Sequence, residues 1–295
     1  MKNEWHRRVA CYTGVVRLRG FLVSCALVIG PSDPGHGGQS TPDPTTVRTR
    51  WPQPALGESD PNETEVLFTF DDGPNPLTTP AVLDILAQHE IRAVFFLVGE
   101  QVVKPNKDVP ALLDRIVREG HILANHTMTH IDLCKSKEDE AIADLDGGRA
   151  AIERVTAMKL GWFRAPFGVR CDRLDAMLAE RSLSHFHWDF DPQEWKHGDV
   201  DRTVKYVTGQ LLHASGRNVL LMHDIKPVTV EALPIILDWI DAENEKRGRS
   251  HKHRIKFLQA PDLAVERLPP AILAWLADAA AGVRALPKAI ASALP

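Results

Sequence analysis

Apolar residues in this chain come in short runs set between longer amphipathic stretches, the rhythm of strands alternating with helices. Residues 66–70 form a compact apolar run suited to a buried strand. Thr79 followed by Pro80 reads as a helix cap and first helical position, with Val82, Leu83, Ile85 and Leu86 as the apolar face. Residues 92–98 predict a second strand. Residues 110–119 predict a helix with Leu112, Leu113, Ile116 and Val117 inward and Gly120 as its stop. Residues 121–124 predict a third strand, followed by a helix over about 137–156 that Gly147-Gly148 should weaken. The alternation continues with strands at 161–164, 185–190, 218–222 and 255–258, and helices at 172–180, 202–214 and 229–245. Seven strands separated by helices imply an α/β domain with a parallel sheet, closed as a barrel or open.

Composition divides the chain further. Residues 1–30 combine basic positions (Lys2, Arg7, Arg8, Arg17, Arg19) with an apolar run over 21–29. That run is too short to span a bilayer and fits the hydrophobic part of a secretory signal. Leu22-Val23-Ser24-Cys25 resembles a lipoprotein cleavage site, although the apolar run continues past Cys25 to Ile29; a disordered cytoplasmic extension is the other alternative. Residues 31–62, dense in Pro, Gly, Ser and Thr, read as a flexible tether. One folded domain is expected over 63–262, then an Ala- and Leu-rich tail over 263–295. The expected location is outside the cytoplasm: periplasmic, on the cell surface or secreted.

Charge and cysteine content narrow the function. With 35 basic and 39 acidic residues, a formal charge of -4, the chain lacks the excess cation that nucleic-acid binding requires. The four cysteines do not make a disulfide framework, and none forms a CxxC pair. Cys134 and Cys171 both lie in the folded region, and an exported product could bridge them; sequence leaves that open.

Every notable polar cluster falls at the C-terminal end of a predicted strand, the edge that carries active sites in α/β folds. Asp71 and Asp72 close the first strand. Adjacent carboxylates after an apolar run raise each other's pKa and lose hydration unless a cation or a proton-transfer role stabilises them. After the third strand come His126 and His130, whose spacing places both imidazoles on one side of a helical turn. Two neutral imidazoles and a carboxylate such as Asp72 make a hydrolytic metal site with a position open to water. Arg164-Ala165-Pro166-Phe167-Gly168, the group Asp189, Asp191, Glu194 and Trp195, and Leu221-Met222-His223-Asp224 lie at later strand ends. From spacing alone His223 could be a third ligand, a structural residue or a proton donor. His89, His121, His185 and His187 read as structural or partly exposed, and the basic run over 246–256 reads as a solvated loop.

In order along the chain stand Thr69-Phe70-Asp71-Asp72-Gly73-Pro74, His126-Thr127-Met128-Thr129-His130, Arg164-Ala165-Pro166-Phe167-Gly168, Asp191-Pro192-Gln193-Glu194-Trp195 and Leu221-Met222-His223. Through these five motifs the chain resembles the polysaccharide deacetylase family, the carbohydrate esterase family 4 proteins that share the catalytic domain of the rhizobial chitooligosaccharide deacetylase. The resemblance covers about residues 64–260. It implies a distorted (β/α)7 barrel and removal of acetyl groups from N-acetylated amino-sugar polymers or oligomers of the chitooligosaccharide or peptidoglycan type. It further implies that Asp71 is the catalytic base, that Asp72, His126 and His130 hold zinc or another divalent ion (Co, Mn or Ni), that Arg164 orients Asp71, and that His223 is the general acid. The backbone N–H of Phe167 would receive oxyanion charge, and Trp195, with Leu221, would wall the substrate.

Two positions depart from the family pattern. Phe167 replaces a common tyrosine, which the main-chain role tolerates. Glu194 stands where aspartate is usual, so either Asp191 or Glu194 would support His223. The implied partner is an acetylated glycan, with no nucleic acid and no stable protein partner, and a monomer is expected. The same constellation would serve a hydrolase of another amide or of an O-acetyl ester. A carbohydrate-binding pseudoenzyme is the remaining alternative; loss of Asp71, Asp72, His126 or His130 would have supported it, and all four are present.

Overall fold

The computed structural model describes Asp60 and residues 62–266; the N-terminal segment and most of the proposed tether and tail lie outside the described residues. In chain order the elements are β1 (Thr64–Asp71), α1 (Thr79–Gln88), β2 (Val94–Leu97), α2 (Gly99–Val103), α3 (Val109–Arg118), β3 (Ile122–Asn125), α4 (Glu138–Thr156) and β4 (Trp162–Phe163). There follow α5 (Asp172–Glu180), β5 (Ser184–His185), α6 (Glu194–His197), α7 (Val200–His213), β6 (Gly216–His223), α8 (Pro227–Arg249), β7 (Ile255–Phe257) and α9 (Ala260–Glu266).

All seven strands are parallel, in the order β5-β4-β3-β2-β1-β6, with β7 beside the first residues of β1. The expected strand over 185–190 is instead a two-residue strand and a separate bridge at Phe190 to Leu220. That bridge brings the far edge back toward β6, so the sheet curls into the distorted (β/α)7 barrel.

Alternation along β1 sorts its side chains. Val66, Phe68 and Phe70 pack outward with α1, α3 and α8 residues such as Leu83, Leu113 and Ile236. Leu67 faces inward with Phe96, Trp162 and Phe186, and by the same period-two rule Thr69 and Asp71 follow it into the barrel. An apolar interior therefore delivers a carboxylate to the strand end. β1 and β6 run in register over eight residues, which sets Asp71 directly beside His223.

Three local expectations change. α1 begins at Thr79 with Thr78 as its cap residue, and the Thr79 hydroxyl is buried and donates to Asp224 instead. α9 runs through the expected domain boundary, with Leu263 buried in the inner cluster. Gly147 and Gly148 do not break α4, which is continuous from Glu138 to Thr156. Gly148 is required for close approach: a Cβ there would collide with the backbone carbon and oxygen of Thr127. A Cβ on Gly147 would meet only the Met128 side chain, at 3.5 Å.

Helix propensity favours alanine over glycine by about 1 kcal/mol, whereas overpacking against rigid backbone costs about 3 kcal/mol. Gly148→Ala should therefore destabilise while Gly147→Ala is neutral or stabilising. Urea unfolding of both variants checks this, and a stabilised Gly148→Ala would refute the contact.

Candidate active site

At the C-terminal end of the barrel, Asp71, Asp72, His126, His130, Phe167, Asp191, Trp195, Leu221 and His223 line one cleft of about 200 Å³. Arg164 lies beneath it, fully buried. Its guanidinium donates to Asp71 Oδ1 at 2.7 Å, to the Thr69 hydroxyl at 2.8 Å and to the His187 carbonyl at 3.1 Å. The ring of Phe96 lies 4.1 Å from the guanidinium carbon. Burial raises the Asp71 pKa, and the charge of Arg164 offsets part of that rise.

The backbone carbonyl of Arg164 accepts from His126 Nδ1 at 2.8 Å, which leaves Nε2 of that ring with its lone pair free. Burial lowers the His126 pKa to about 3, so the ring is neutral at working pH. His126 Nε2 lies 3.6 Å and His130 Nε2 3.3 Å from Asp72 Oδ1, an oxygen that is buried and has no hydrogen bond of its own. Ligand atoms of Asp72, His126 and His130 all fall within 4.8 Å of one another. Tetrahedral ligands about 2.1 Å from a zinc ion stand about 3.4 Å apart, so the three donors fit a divalent ion.

The two histidines do not sit on a helical turn, as their spacing suggested. The segment between them is irregular, with Thr127 and His130 at φ of 69° and 61°. The Thr127 hydroxyl accepts the His130 N–H at 3.0 Å.

Between the two acidic candidates beside His223, the geometry selects Glu194. Its Oε1 accepts from His223 Nδ1 at 2.9 Å and from the His223 N–H at 2.8 Å, and Glu194 is fully buried on α6. Burial acts to lower the His223 pKa, but the hydrogen bond and charge of Glu194, with the charges of Asp71 and Asp72, outweigh it and the net shift is upward. Asp191 instead accepts the Gln193 N–H and lines the cleft; burial raises its pKa.

Phe167 adopts a left-handed conformation and is 68% exposed, its ring edge-on to His130. Trp195 is 48% exposed, which excludes a core role. Leu221 is buried at the cleft floor. Trp188 and Lys226 also line the cleft. Lys226 was not singled out by sequence reading; its only signal is proximity to the end of β6. His185 lies off the cleft and accepts the Ala165 N–H at 3.4 Å. Cys134 and Cys171 form a disulfide, joining the segment after His130 to the one after Phe167.

A parallel α/β barrel with carboxylates, a guanidinium and imidazoles gathered at its strand ends has the architecture of a barrel enzyme. Comparison with known proteins specifies which. The polysaccharide deacetylase profile matches residues 58–184. The chitooligosaccharide deacetylase of Sinorhizobium fredii is 38% identical over 160 residues, 54% of this chain and 71% of that protein. The peptidoglycan-N-acetylglucosamine deacetylase of Bacillus cereus is 33% identical over 187 residues, 63% of this chain and 66% of that protein. The structure of peptidoglycan deacetylase PdaC from Bacillus subtilis superimposes with a TM-score of 0.57 at 27% identity, covering 70% of this chain and 95% of the other. The chain belongs to the polysaccharide deacetylase family, and with it to the hydrolases.

Asp224 supplies a test of the buried electrostatics. It is fully buried under Gly73, where even a glycine-to-alanine change would push a carbon to within 2.6 Å of Oδ1. Burial, helped by the charge of Asp72 and opposed by the Thr79 hydrogen bond, pushes its pKa up to about 7 from 3.8. Between those values the folded protein holds a proton that the unfolded chain has released, so this group's contribution to stability is lost as pH rises through the window. His121, His126 and His185, whose pKa values are lowered by burial, contribute the opposite slope. Metal-free Asp224→Asn should therefore gain stability relative to the parent as pH rises from about 4 to about 7. Parallel denaturation series at several pH values would show it; a constant difference would sink the assignment.

Proposed function

We propose that this protein is a metal-dependent N-deacetylase that releases acetate from N-acetylated amino-sugar polymers or oligomers of the chitooligosaccharide or peptidoglycan type. The observation that carries this reading is the convergence, in one cleft, of the Arg164-paired Asp71, the Asp72–His126–His130 donor set and the Glu194-tethered His223. When bound by those three donors, zinc or another divalent ion supplies Lewis acidity toward an acetyl carbonyl and acidifies water.

Asp71 is the base that accepts the proton of the attacking water. Arg164 keeps that carboxylate oriented and favours its charged form against the effect of burial. The N–H of Phe167 receives charge developing on the former carbonyl oxygen. His223, held by Glu194 with its pKa raised, carries the proton delivered to the sugar nitrogen as the amide bond breaks, yielding acetate and a free amine. Phe167 and Trp195 offer exposed aromatic surface to a sugar ring on either side of these groups.

Export to a cell-wall or extracellular glycan is part of the proposal. The basic and apolar N-terminal segment supports it, as does the Cys134–Cys171 bridge, since disulfides persist in oxidising compartments. No described helix is long and apolar enough to cross a membrane.

Metal-free protein reconstituted with Zn, Co, Mn or Ni should release acetate from chitooligosaccharides or peptidoglycan fragments. Asp71→Asn should lower kcat by about a hundredfold to ten-thousandfold with metal still bound. Absence of acetate from these substrates and from acetylated xylan, in metal-loaded protein, would overturn the deacetylase reading.

Activity should fall on the acid side as Asp71 protonates and on the alkaline side as His223 loses its proton. Glu194→Gln removes a carboxylate that raises the His223 pKa, so the alkaline limb should move to lower pH. An unmoved limb in the pH–kcat profile would exclude His223 as the acid.

A further inference from the structure

The segment between His126 and His130 is held from two sides. From α2, the Gly99 and Glu100 N–H groups donate to the carbonyls of Thr127 and Met128, both at 2.9 Å. From α4, Asp144 takes the opposite polarity. Its Oδ1 accepts the N–H groups of Met128 and Thr129, each at 3.1 Å, and its Oδ2 accepts the Thr129 hydroxyl at 2.5 Å. The Asp144 carbonyl also accepts from Met128, at 2.9 Å. Beside it, Asn125 Oδ1 takes the Thr127 N–H at 3.1 Å while its amide donates to the Leu145 carbonyl at 2.9 Å. Gly148, one helical turn further along α4, brings the helix backbone against Thr127.

A non-glycine residue at positive φ is costly, and this segment contains two within four residues. Such a conformation persists only where surrounding contacts over-determine it. Among the described residues, Asp144 is the one acidic side chain that accepts from the backbone of the three residues between the histidines, and it is buried. A buried carboxylate is stabilised by accepting several hydrogen bonds, so the residue and the bent segment depend on each other.

From this we infer that Asp144 is a positioning residue for the metal centre: it does not touch the ion, but it fixes the backbone that aims His126 and His130 at Asp72. The inference rests on the metal-site reading above. Residues that orient ligands typically change metal affinity by about tenfold to a hundredfold when removed. Asp144→Ala deletes all three side-chain bonds. Asp144→Asn keeps one oxygen for the two backbone N–H groups and should weaken the site less.

The test is a calorimetric Zn²⁺ titration of metal-free full-length protein against a competing chelator, with the apo melting temperature recorded for each variant. Affinity should fall in the order parent, Asp144→Asn, Asp144→Ala, with the last weaker by about tenfold or more. Arg149→Ala serves as the control for simple loss of helix stability. Arg149 also lies on α4 but bonds Glu153 and the Arg181 carbonyl, so that variant should lower the apo melting temperature without altering Zn²⁺ affinity. If Asp144→Ala does not fold, Asp144→Asn decides the matter. Parental affinity in the folded Asp144 variants, or an equal loss in Arg149→Ala, would overturn the inference alone. A parent protein that binds no Zn²⁺, Co²⁺, Mn²⁺ or Ni²⁺ would overturn the metal-site reading and this inference with it.

Discussion

The buried pair of Arg164 and Asp71 is the interaction on which the rest of the site depends. Two charges removed from water carry a desolvation cost of several kcal/mol each, which their attraction and further hydrogen bonds must offset. Here the two terminal nitrogens of the guanidinium are shared among a carboxylate, a hydroxyl and a carbonyl, with an aromatic ring beneath it, while Nε is buried without a hydrogen bond. The same residue's carbonyl sets the tautomer of His126. One position on the end of β4 therefore governs a carboxylate on β1 and an imidazole after β3. The barrel interior explains how: apolar layers from Leu67, Phe96, Trp162 and Phe186 exclude water below the pair and leave polar groups nowhere to go except toward each other.

Above that pair, precision comes from different sources on the two sides of the cleft. On the β1–β6 side it comes from strand register, which sets Asp71 opposite His223 without help from any loop. On the opposite side it comes from irregular backbone, where two left-handed residues are stabilised by contacts from α2 and α4. Regular structure places Asp71 beside His223, and a braced loop places the imidazoles that converge on Asp72.

These sources also explain what could be read from sequence. Strand ends, their polar clusters and the seven-strand rhythm depend on short-range periodicity, and Asp71, Asp72, His126, His130, Arg164 and His223 were all legible as chemistry at one edge. The helical turn expected for His126 and His130 was wrong because spacing reports separation along the chain, whereas Asp144, eighteen residues or so downstream, decides the local backbone. The glycine pair in α4 looked like a weakness because propensity is a local quantity, and the neighbouring Thr127 backbone is not visible to it. Choosing between Asp191 and Glu194 required the short helix α6, which turns the longer side chain beneath His223. The exposure of Trp195 likewise follows from that helix rather than from its own hydrophobicity.

The Cys134–Cys171 bridge makes one link within the barrel depend on the chain's surroundings. It spans 37 residues and fastens the chain leaving His130 to the chain leaving Phe167, two stretches otherwise carried on separate strand ends. A copy of this protein held in a reducing compartment would own every polar group of the cleft yet lack the covalent link between these two segments. The covalent link between these two segments is therefore set by the redox state of the compartment that holds the chain.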